Sequence, residues 1–460
     1  MTPVTAVPED QARSDAGRTI AGLIPEMEHL RRWAPRGVLA VLDQGLISGA
    51  NFLLGVSLAR SGGPESYGAY MIVFAAFLLI ANVHQAILIE PASVLAFSLF
   101  PQRNDRYLRT VLLMHAIFTA GFVLVAGCFW LLAPRFHITG ALANAVAGLV
   151  IVTPCVLLFW LSRSFAYLDF APGRAVVGSS AYCAAVMTGI VISYLRGHNT
   201  PFSAFSWTAA AAVIASAVLL RHYRRMRPPA GTEPGLRTVW TRHWRFGRWG
   251  LSSVGLNWAQ TNSISLISGW LLGLRATGGL NALVGLLLPM FQVLISASRV
   301  VLPRVAQIYT LKGLQATRRP IVRVGITLFL LTSGYWLLLA VAHRPLLQII
   351  YGAKFMPYAY LVPIISLHLV ACSIMAACDL AFNAMQSPQS SFPIKMAIVA
   401  IMIPTNTFLM WRFGLLGAAI GVPVFSAASG IWMAAKVRQI WRRGENSVLH
   451  GAPASAVVCS

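Results

Sequence analysis

The chain has 460 residues, 57% of them hydrophobic and only 11% charged, against roughly 25% charged in an ordinary soluble domain, which argues against a soluble fold of this length. Its formal charge of +23 suggests nucleic acid until the basic residues are placed: they are dispersed over short segments between apolar runs, where anionic headgroups favour them. The six cysteines (Cys128, Cys155, Cys183, Cys372, Cys378 and Cys459) show no CxxC spacing, and five lie inside apolar runs, so neither a disulfide framework nor a metal site is expected.

Residues 1–36 carry Glu9, Asp10, Asp15, Glu26 and Glu28 and lack an apolar core, so they read as a cytoplasmic tail rather than a cleavable signal peptide. Six runs long enough to cross a bilayer follow at 37–60, 67–99, 107–133, 139–162, 174–195 and 201–220, making an N-terminal lobe over 37–220. On the first run Gln44, Ser48, Asn51 and Gly55 share one helical face, with Asp43 beside it. That face either lines a water-filled cavity or packs on another helix through Gly45-xxx-Gly49. On the second run His84, Gln85 and Glu90 precede Pro91, whose ring invites a kink. Glu90 is either an intramembrane site residue or a group reaching the headgroups, and His84 is either a cavity residue or a satisfied packing residue.

Residues 221–248 form a basic linker with eight arginines against the lone Glu233, together with Pro228, Pro229, Gly231 and Pro234. Its Trp240, Trp244 and Phe246, interleaved with Arg242 and Arg245, fit either an amphipathic helix on the membrane surface or a flexible connection. Six more runs, at 249–274, 277–303, 321–342, 357–384, 393–411 and 414–435, make a C-terminal lobe over 249–435, with a cytoplasmic tail at 436–460. The seventh run repeats the polar face of the first, with Ser253, Asn257, Thr261 and Ser268 in line and Gln260 and Asn262 nearby. Arg299, two turns beyond Gln292 on the eighth run, is the basic residue placed deep in a span. It either presents its planar fork to a phosphate in the cavity or snorkels to the interface. Asp379 joins Asn383 and His368 on the tenth run as an ion-coupling group or pairs with a neighbouring helix.

Twelve spans put both ends on one side. With that side cytoplasmic, 28 Lys and Arg fall in or border the inner segments against seven in the outer loops, the asymmetry expected of retained positive charge. The two halves also resemble each other: Leu58-Ala59-Arg60 and Gly62-Gly63 match Gly273-Leu274-Arg275 and Gly278-Gly279, and Pro91 matches Pro303, as in transporters built from repeats. The sequence contains neither a GxxxxGK[ST] phosphate loop nor an HExxH metal pattern, and its outer loops are short. These features favour transport over catalysis, with no catalytic residue, metal or cofactor expected beyond a coupling ion, H+ or Na+.

The stretch LDQGLISGANFLLGVSLARSGGPESYGAY (42–70) resembles the opening of polysaccharide flippases of the O-antigen and exopolysaccharide type, in the multidrug/oligosaccharidyl-lipid/polysaccharide exporter superfamily. The resemblance continues to Glu90-Pro91, to LLQIIYGAKF (346–355) and to GLLGAAIG (414–421), covering most of the membrane region. It implies an all-α, two-lobed protein of the bacterial inner membrane, rocking about a central cavity to turn undecaprenyl-pyrophosphate-linked oligosaccharide to the periplasmic leaflet. It further implies a basic cavity, mapped here onto Arg299 with Arg60 and Arg275 at the outer mouth, and an acid on the first helix, a role open to Asp43. The implied partners are lipid-linked glycan, membrane lipids and the polysaccharide polymerase and export machinery. The tail of 36 residues and the want of a thirteenth and fourteenth helix match a lipid II flippase less well.

The expected substrate cavity is therefore built from Gln44, Asn51, His84, Asn257, Gln260, Asn262, Gln292 and Arg299, with Asp43, Glu90 and Asp379 as ion-coupling candidates. The alternative reading is a cation-coupled exporter of small molecules, which would show an acid-rich cavity; a membrane scaffold or a glycan-ligating enzyme is a third.

Overall fold

The computed structural model describes residues 9–99, 104–197, 199–224, 235–385, 387 and 390–449, with the backbone alone for 9–36, 97–99, 104–106, 222–224 and 444–449 and for Trp249, Ser252, Ser253 and Arg299. The proline-bearing part of the linker, 225–234, and the chain ends 1–8 and 450–460 fall outside the described residues. All regular structure among the described residues is helical: α1 (Glu9–His84), a π-helical turn (Gln85–Ile89), α2 (Glu90–Leu99), α3 (Asn104–Leu132), α4 (Gly140–Leu168), α5 (Pro172–Leu195), α6 (Pro201–Arg224), α7 (Leu236–Gly285), α8 (Leu288–Lys312), α9 (Arg318–Tyr351), α10 (Val362–Ala384), α11 (Phe392–Phe413) and α12 (Leu415–Leu449).

Two of these helices are pairs folded back on themselves. α1 leaves helical geometry at Gly63 (φ 76°, ψ −174°) and α7 at Gly273 (φ 84°, ψ 173°), backbone states that cost a residue without a Cβ little. Across the first reversal a Cβ on Gly55 would lie 3.6 Å from the Tyr67 ring. Across the second, Ser268 Oγ and Thr277 Oγ1 are 3.0 Å apart and Ser265 Oγ donates to Asn281 Oδ1 at 3.1 Å. Ten segments among the described residues are long and apolar enough to cross a membrane. The first, Gly37–Ala96, has 60 residues and counts twice, because a straight helix of that length would measure about three bilayer cores. The first limb of α7, made less apolar by Asn257, Gln260, Thr261, Asn262 and Ser263, brings the spans to the expected twelve.

The reversals also correct the register of the internal repeat. The turning residues are Gly63 and Gly273, not Gly63 and Gly278 or Gly279, because the doublet at 278–279 is helical. In this register Gly68 corresponds to Gly278, and the two helices that follow the turns cross there. A Cβ on Gly68 would overlap the Leu274 carbonyl oxygen, and one on Gly278 would overlap that of Pro64.

Within the N-terminal lobe α4 packs on α6, α5 on α6, and the first limb of α1 on α4 and α5; in the C-terminal lobe α10 is central, touching α8, α9 and α12, with α11 against α12. The lobes meet where the second limb of α1 runs antiparallel to α7. Trp258 Nε1 donates to Ala75 O at 2.7 Å, the backbone of Gly269 packs against Ile72, and that of Gly247 faces Ala86 O.

The linker is not a separate surface helix. From Leu236 it runs straight into α7, with Val239, His243 and Gly247 buried at i, i+4 and i+8, while Trp240, Trp244 and Phe246 stay exposed. Its anchor follows from Pro91. Proline has no N–H to give Ile87 O four residues back, and the chain adopts a π-turn over Gln85–Ile89. Ile87 O instead accepts from His243 Nδ1 at 2.9 Å, and His243 Nε2 accepts the Tyr107 hydroxyl at 2.7 Å. Burial lowers the His243 pKa, against a smaller upward pull from the Ile87 carbonyl, and the neutral Nδ1–H tautomer is the one that satisfies both bonds.

Candidate functional site

The first limb of α1 carries the polar face expected of it, but most of that face is already held by its own lobe. Asp43 is fully buried. Its carboxylate accepts the Tyr167 hydroxyl at 2.6 Å and the Ser179 hydroxyl, and pairs with Arg163 Nε at 3.0 Å. Asn51 Oδ1 accepts Tyr182 OH at 2.7 Å, and Ser57 Oγ accepts Asn199 Nδ2 at 3.1 Å. The Arg163 side chain keeps 20% of its surface exposed while Asp43 keeps none, and Arg163 Nη2 reaches Gln44 Oε1 at 3.1 Å. The ion pair therefore fixes a guanidinium at the surface of the lobe beside the exposed Gln44.

Arg163 lies outside the sequence-derived span 139–162 because α4 runs on to Leu168. The signal was present: Phe165, Ala166 and Leu168 continue the buried pattern, and the breakers begin only at Asp169 and Pro172. Tyr167 was missed for the same reason.

Gly45 and Gly49 do not form a packing seam; a Cβ at either would meet nothing within 4 Å, and the same holds for Gly255 on α7, the partner of Gly45 in the repeat. Close to Gly255, Asn257 and Thr261 are exposed, while Gln260 and Asn262 are half-buried and Asn262 Nδ2 donates to Thr261 Oγ1 at 2.8 Å. Gln292 is exposed on α8. α8 leans on α10 and lacks the close packing against α1 that the second limb of α1 has against α7. The lobes are thus packed together along the seam of α1 with α7.

At the Gly68–Gly278 crossing, two tyrosines, a phenylalanine and a lysine tie the lobes together. Tyr67 packs on Tyr351 and Phe355 with ring centroids 5.9 and 6.2 Å apart, and Lys354 Nζ donates to Ser61 O at 3.2 Å, while Tyr358 OH donates to Arg275 O at 3.2 Å within the C-terminal lobe. The GPESYG and YGAKF motifs are therefore one contact.

The remaining candidates lie elsewhere. His84 is fully buried inside the N-terminal lobe, with Nε2 3.0 Å from Nδ1 of His115. Glu90 is exposed at the α1–α7 seam, accepts Gln85 Nε2 at 3.3 Å and lies beside Gly250. Asp379 is bound by Lys395 Nζ at 2.9 and 3.1 Å. It is three turns from His368, which meets Ser426 Oγ at 2.7 Å instead, so His368, Asp379 and Asn383 form no common group. Arg299 is placed on α8 four residues before Pro303, and its side chain lies outside the described residues. Among those residues no cluster of His, Cys, Asp and Glu could hold a metal.

Two lobes of six spans, joined along one seam and reversed at matching glycines, make a fold that this chain shares with solved structures of membrane transporters. The chain is similar to the inward-facing structure of a multidrug resistance MATE family transporter of the MOP superfamily (TM-score 0.67, 13% identity, 88% of this chain and 99% of that one). It is equally similar to the lipid II flippase MurJ in an inward closed conformation (TM-score 0.67, 13% identity, 87% of each chain). An outward-facing MATE structure matches at a TM-score of 0.58, with 12% identity over 88% of this chain and 95% of that one. No protein-family model and no curated protein matches the sequence.

Proposed function

We propose that the chain is a flippase of the bacterial inner membrane, with both termini cytoplasmic, that moves undecaprenyl-pyrophosphate-linked oligosaccharide to the periplasmic leaflet for surface polysaccharide or exopolysaccharide synthesis. The observation that carries this reading is the guanidinium of Arg163, which the buried Asp43 fixes at the lobe surface beside the exposed Gln44, on the N-terminal wall of the proposed opening between α1 and α8. A prenyl-tailed substrate needs a side opening, so that its tail stays in lipid while its charged head crosses. Arg163, held by Asp43, gives the head a guanidinium and Gln44 beside it, the donor set suited to pyrophosphate. Arg299, Asn257 and Gln292 complete the proposed cavity from the other lobe.

Two acids expected of a cation exporter are already neutralised, Asp43 by Arg163 and Asp379 by Lys395, which favours an anionic cargo. The neighbours are transporters and a flippase, and the greater likeness to inward-facing structures supports a resting cavity open to the cytoplasm. Rocking of 37–220 against 249–435 would break the tyrosine-lined closure and invert the opening, coupled to H+ or Na+.

A second reading, a cation-coupled small-molecule exporter, is favoured by the exposed carboxylate of Glu90 at the lobe seam. Vesicles holding the purified protein separate the two. The flippase exposes a labelled prenyl-pyrophosphate oligosaccharide to a glycosidase on the far side and leaves a trapped cationic dye in place. Dye efflux without glycan exposure overturns the proposal.

A further inference from the structure

A second binding feature lies on the C-terminal lobe, away from the proposed opening between the lobes. At the basic end, the turn between α8 and α9 forms a hollow of about 750 Å³ lined by Gln315, Ala316, Arg318, Arg319, Val322 and Arg323. Val322 also borders a groove of about 310 Å³ that runs up between α9, α10 and α12. The groove walls are apolar, built from Ile321, Ile326, Phe329, Ile374 and Val437, and Gly325, Ala377 and Ala434 leave it room. Val322, Ile326 and Phe329 are 44%, 54% and 42% exposed, so the groove opens outward.

The two parts are joined at Trp441. Its ring lines the groove, and its carbonyl accepts Gln315 Nε2 of the hollow at 2.6 Å. The indole N–H is buried and has no partner, in a residue only 9% exposed. A buried donor left unmade costs free energy comparable to a lost hydrogen bond. A ligand oxygen at the head of the groove would recover it.

The geometry points to a binding site for an anionic glycerophospholipid of the leaflet at the basic end, its phosphate against Arg319 and Arg323, an ester or phosphate oxygen on Trp441 Nε1 and one acyl chain in the groove. Charge selects the occupant. Arg319 and Arg323 at the mouth of an apolar channel match a phosphate head on a hydrocarbon chain, whereas a free anion would leave the groove empty and a neutral lipid would offer these two arginines no charge. The site is independent of what the protein transports.

The test uses the full-length chain, purified in a neutral detergent and mixed with phosphatidylglycerol or phosphatidylcholine, with bound lipid counted by native mass spectrometry. Phosphatidylglycerol is expected to be retained and phosphatidylcholine lost. Arg319→Gln with Arg323→Gln, both on the exposed face of α9, should weaken retention by more than about tenfold, because each basic residue near a lipid headgroup contributes several-fold. Ala434→Leu, which narrows the groove and keeps the charges, should weaken it as well, and Trp441→Phe should weaken it a few-fold. Equal retention of both lipids overturns the proposal, as does undiminished retention by the double arginine variant. Retention of undecaprenyl phosphate in place of phosphatidylglycerol also overturns it, since the groove would then belong to the cargo.

Discussion

Gly68 and Gly278 close the same end of the molecule by occupying the space that each other's side chain would need. A methyl on Gly68 would overlap the carbonyl of Leu274, the residue after the second reversal, and a methyl on Gly278 would overlap that of Pro64, the residue after the first. The contact is reciprocal, as a twofold repeat requires, and in the proposed transport cycle it is the point at which the lobes part when the opening inverts.

Substituting alanine at both positions should therefore favour the state open at this end. Overpacking of this kind costs about 1–3 kcal/mol, comparable to the difference between alternating states of a transporter. Labelling of Ser57→Cys from the non-basic side, in a background without the native cysteines, should rise several-fold. Unchanged labelling with unchanged thermal stability would remove the contact from the gating account.

The Asp43–Arg163 pair separates structural from functional loss. Arg163→Ala leaves a fully buried carboxylate without its cation, and breaking a buried pair from one side costs about 3–5 kcal/mol. Asp43→Asn with Arg163→Gln removes both charges, so thermal stability should return most of the way toward wild type. Translocation should not return with it, because the proposed anion contact is gone. Recovery of both would make the pair purely structural.

His243 gives an acid-sensitive element. Burial keeps it neutral in the folded protein, whereas the unfolded chain takes up a proton near pH 6.5. Its contribution is thus complete above that pH and declines as the pH falls below it. Wild-type melting temperature should drop between pH 7.5 and 5.5, and the drop should shrink in His243→Gln, whose amide can still donate to Ile87 O. His243→Ala, which leaves Ile87 O and the Tyr107 hydroxyl without this partner, should cost about 1–3 kcal/mol at pH 7.5.

Asp379 and Lys395 are partly exposed, with side chains 35% and 19% accessible, and a pair of that kind contributes about 0–1 kcal/mol. Asp379→Asn should melt within a few degrees of wild type and keep most of its translocation rate. Complete loss of transport in a folded Asp379→Asn protein would restore Asp379 as the coupling residue.

The twelve spans were legible because runs of apolar residues in lipid have few alternative folds, and α9 to α12 fall within a few residues of expectation apart from the added turns at their ends. The two reversals were legible as glycines, but their register was not. A doublet such as Gly278-Gly279 looks like a turn, and only the backbone distinguishes the left-handed Gly273 from its helical neighbours. The site was partly legible: the polar face of α1 exists, yet which of its groups stay free depends on α4 and α5, which no periodicity in α1 reports. Arg163 was hidden by a helix boundary six residues too early. The role of His243 depends on a carbonyl freed by Pro91, 152 positions before it, a relation that only the packing of α7 on α1 creates.

The most direct measurement is the rate at which a labelled prenyl-pyrophosphate oligosaccharide crosses vesicles that contain either wild-type protein or the Asp43→Asn, Arg163→Gln variant, both verified as folded. The account predicts translocation by the wild type well above protein-free vesicles and a rate near background for the variant. Equal rates for the two proteins would contradict the assignment of Arg163 to the pyrophosphate, and background rates for both would contradict the flippase itself.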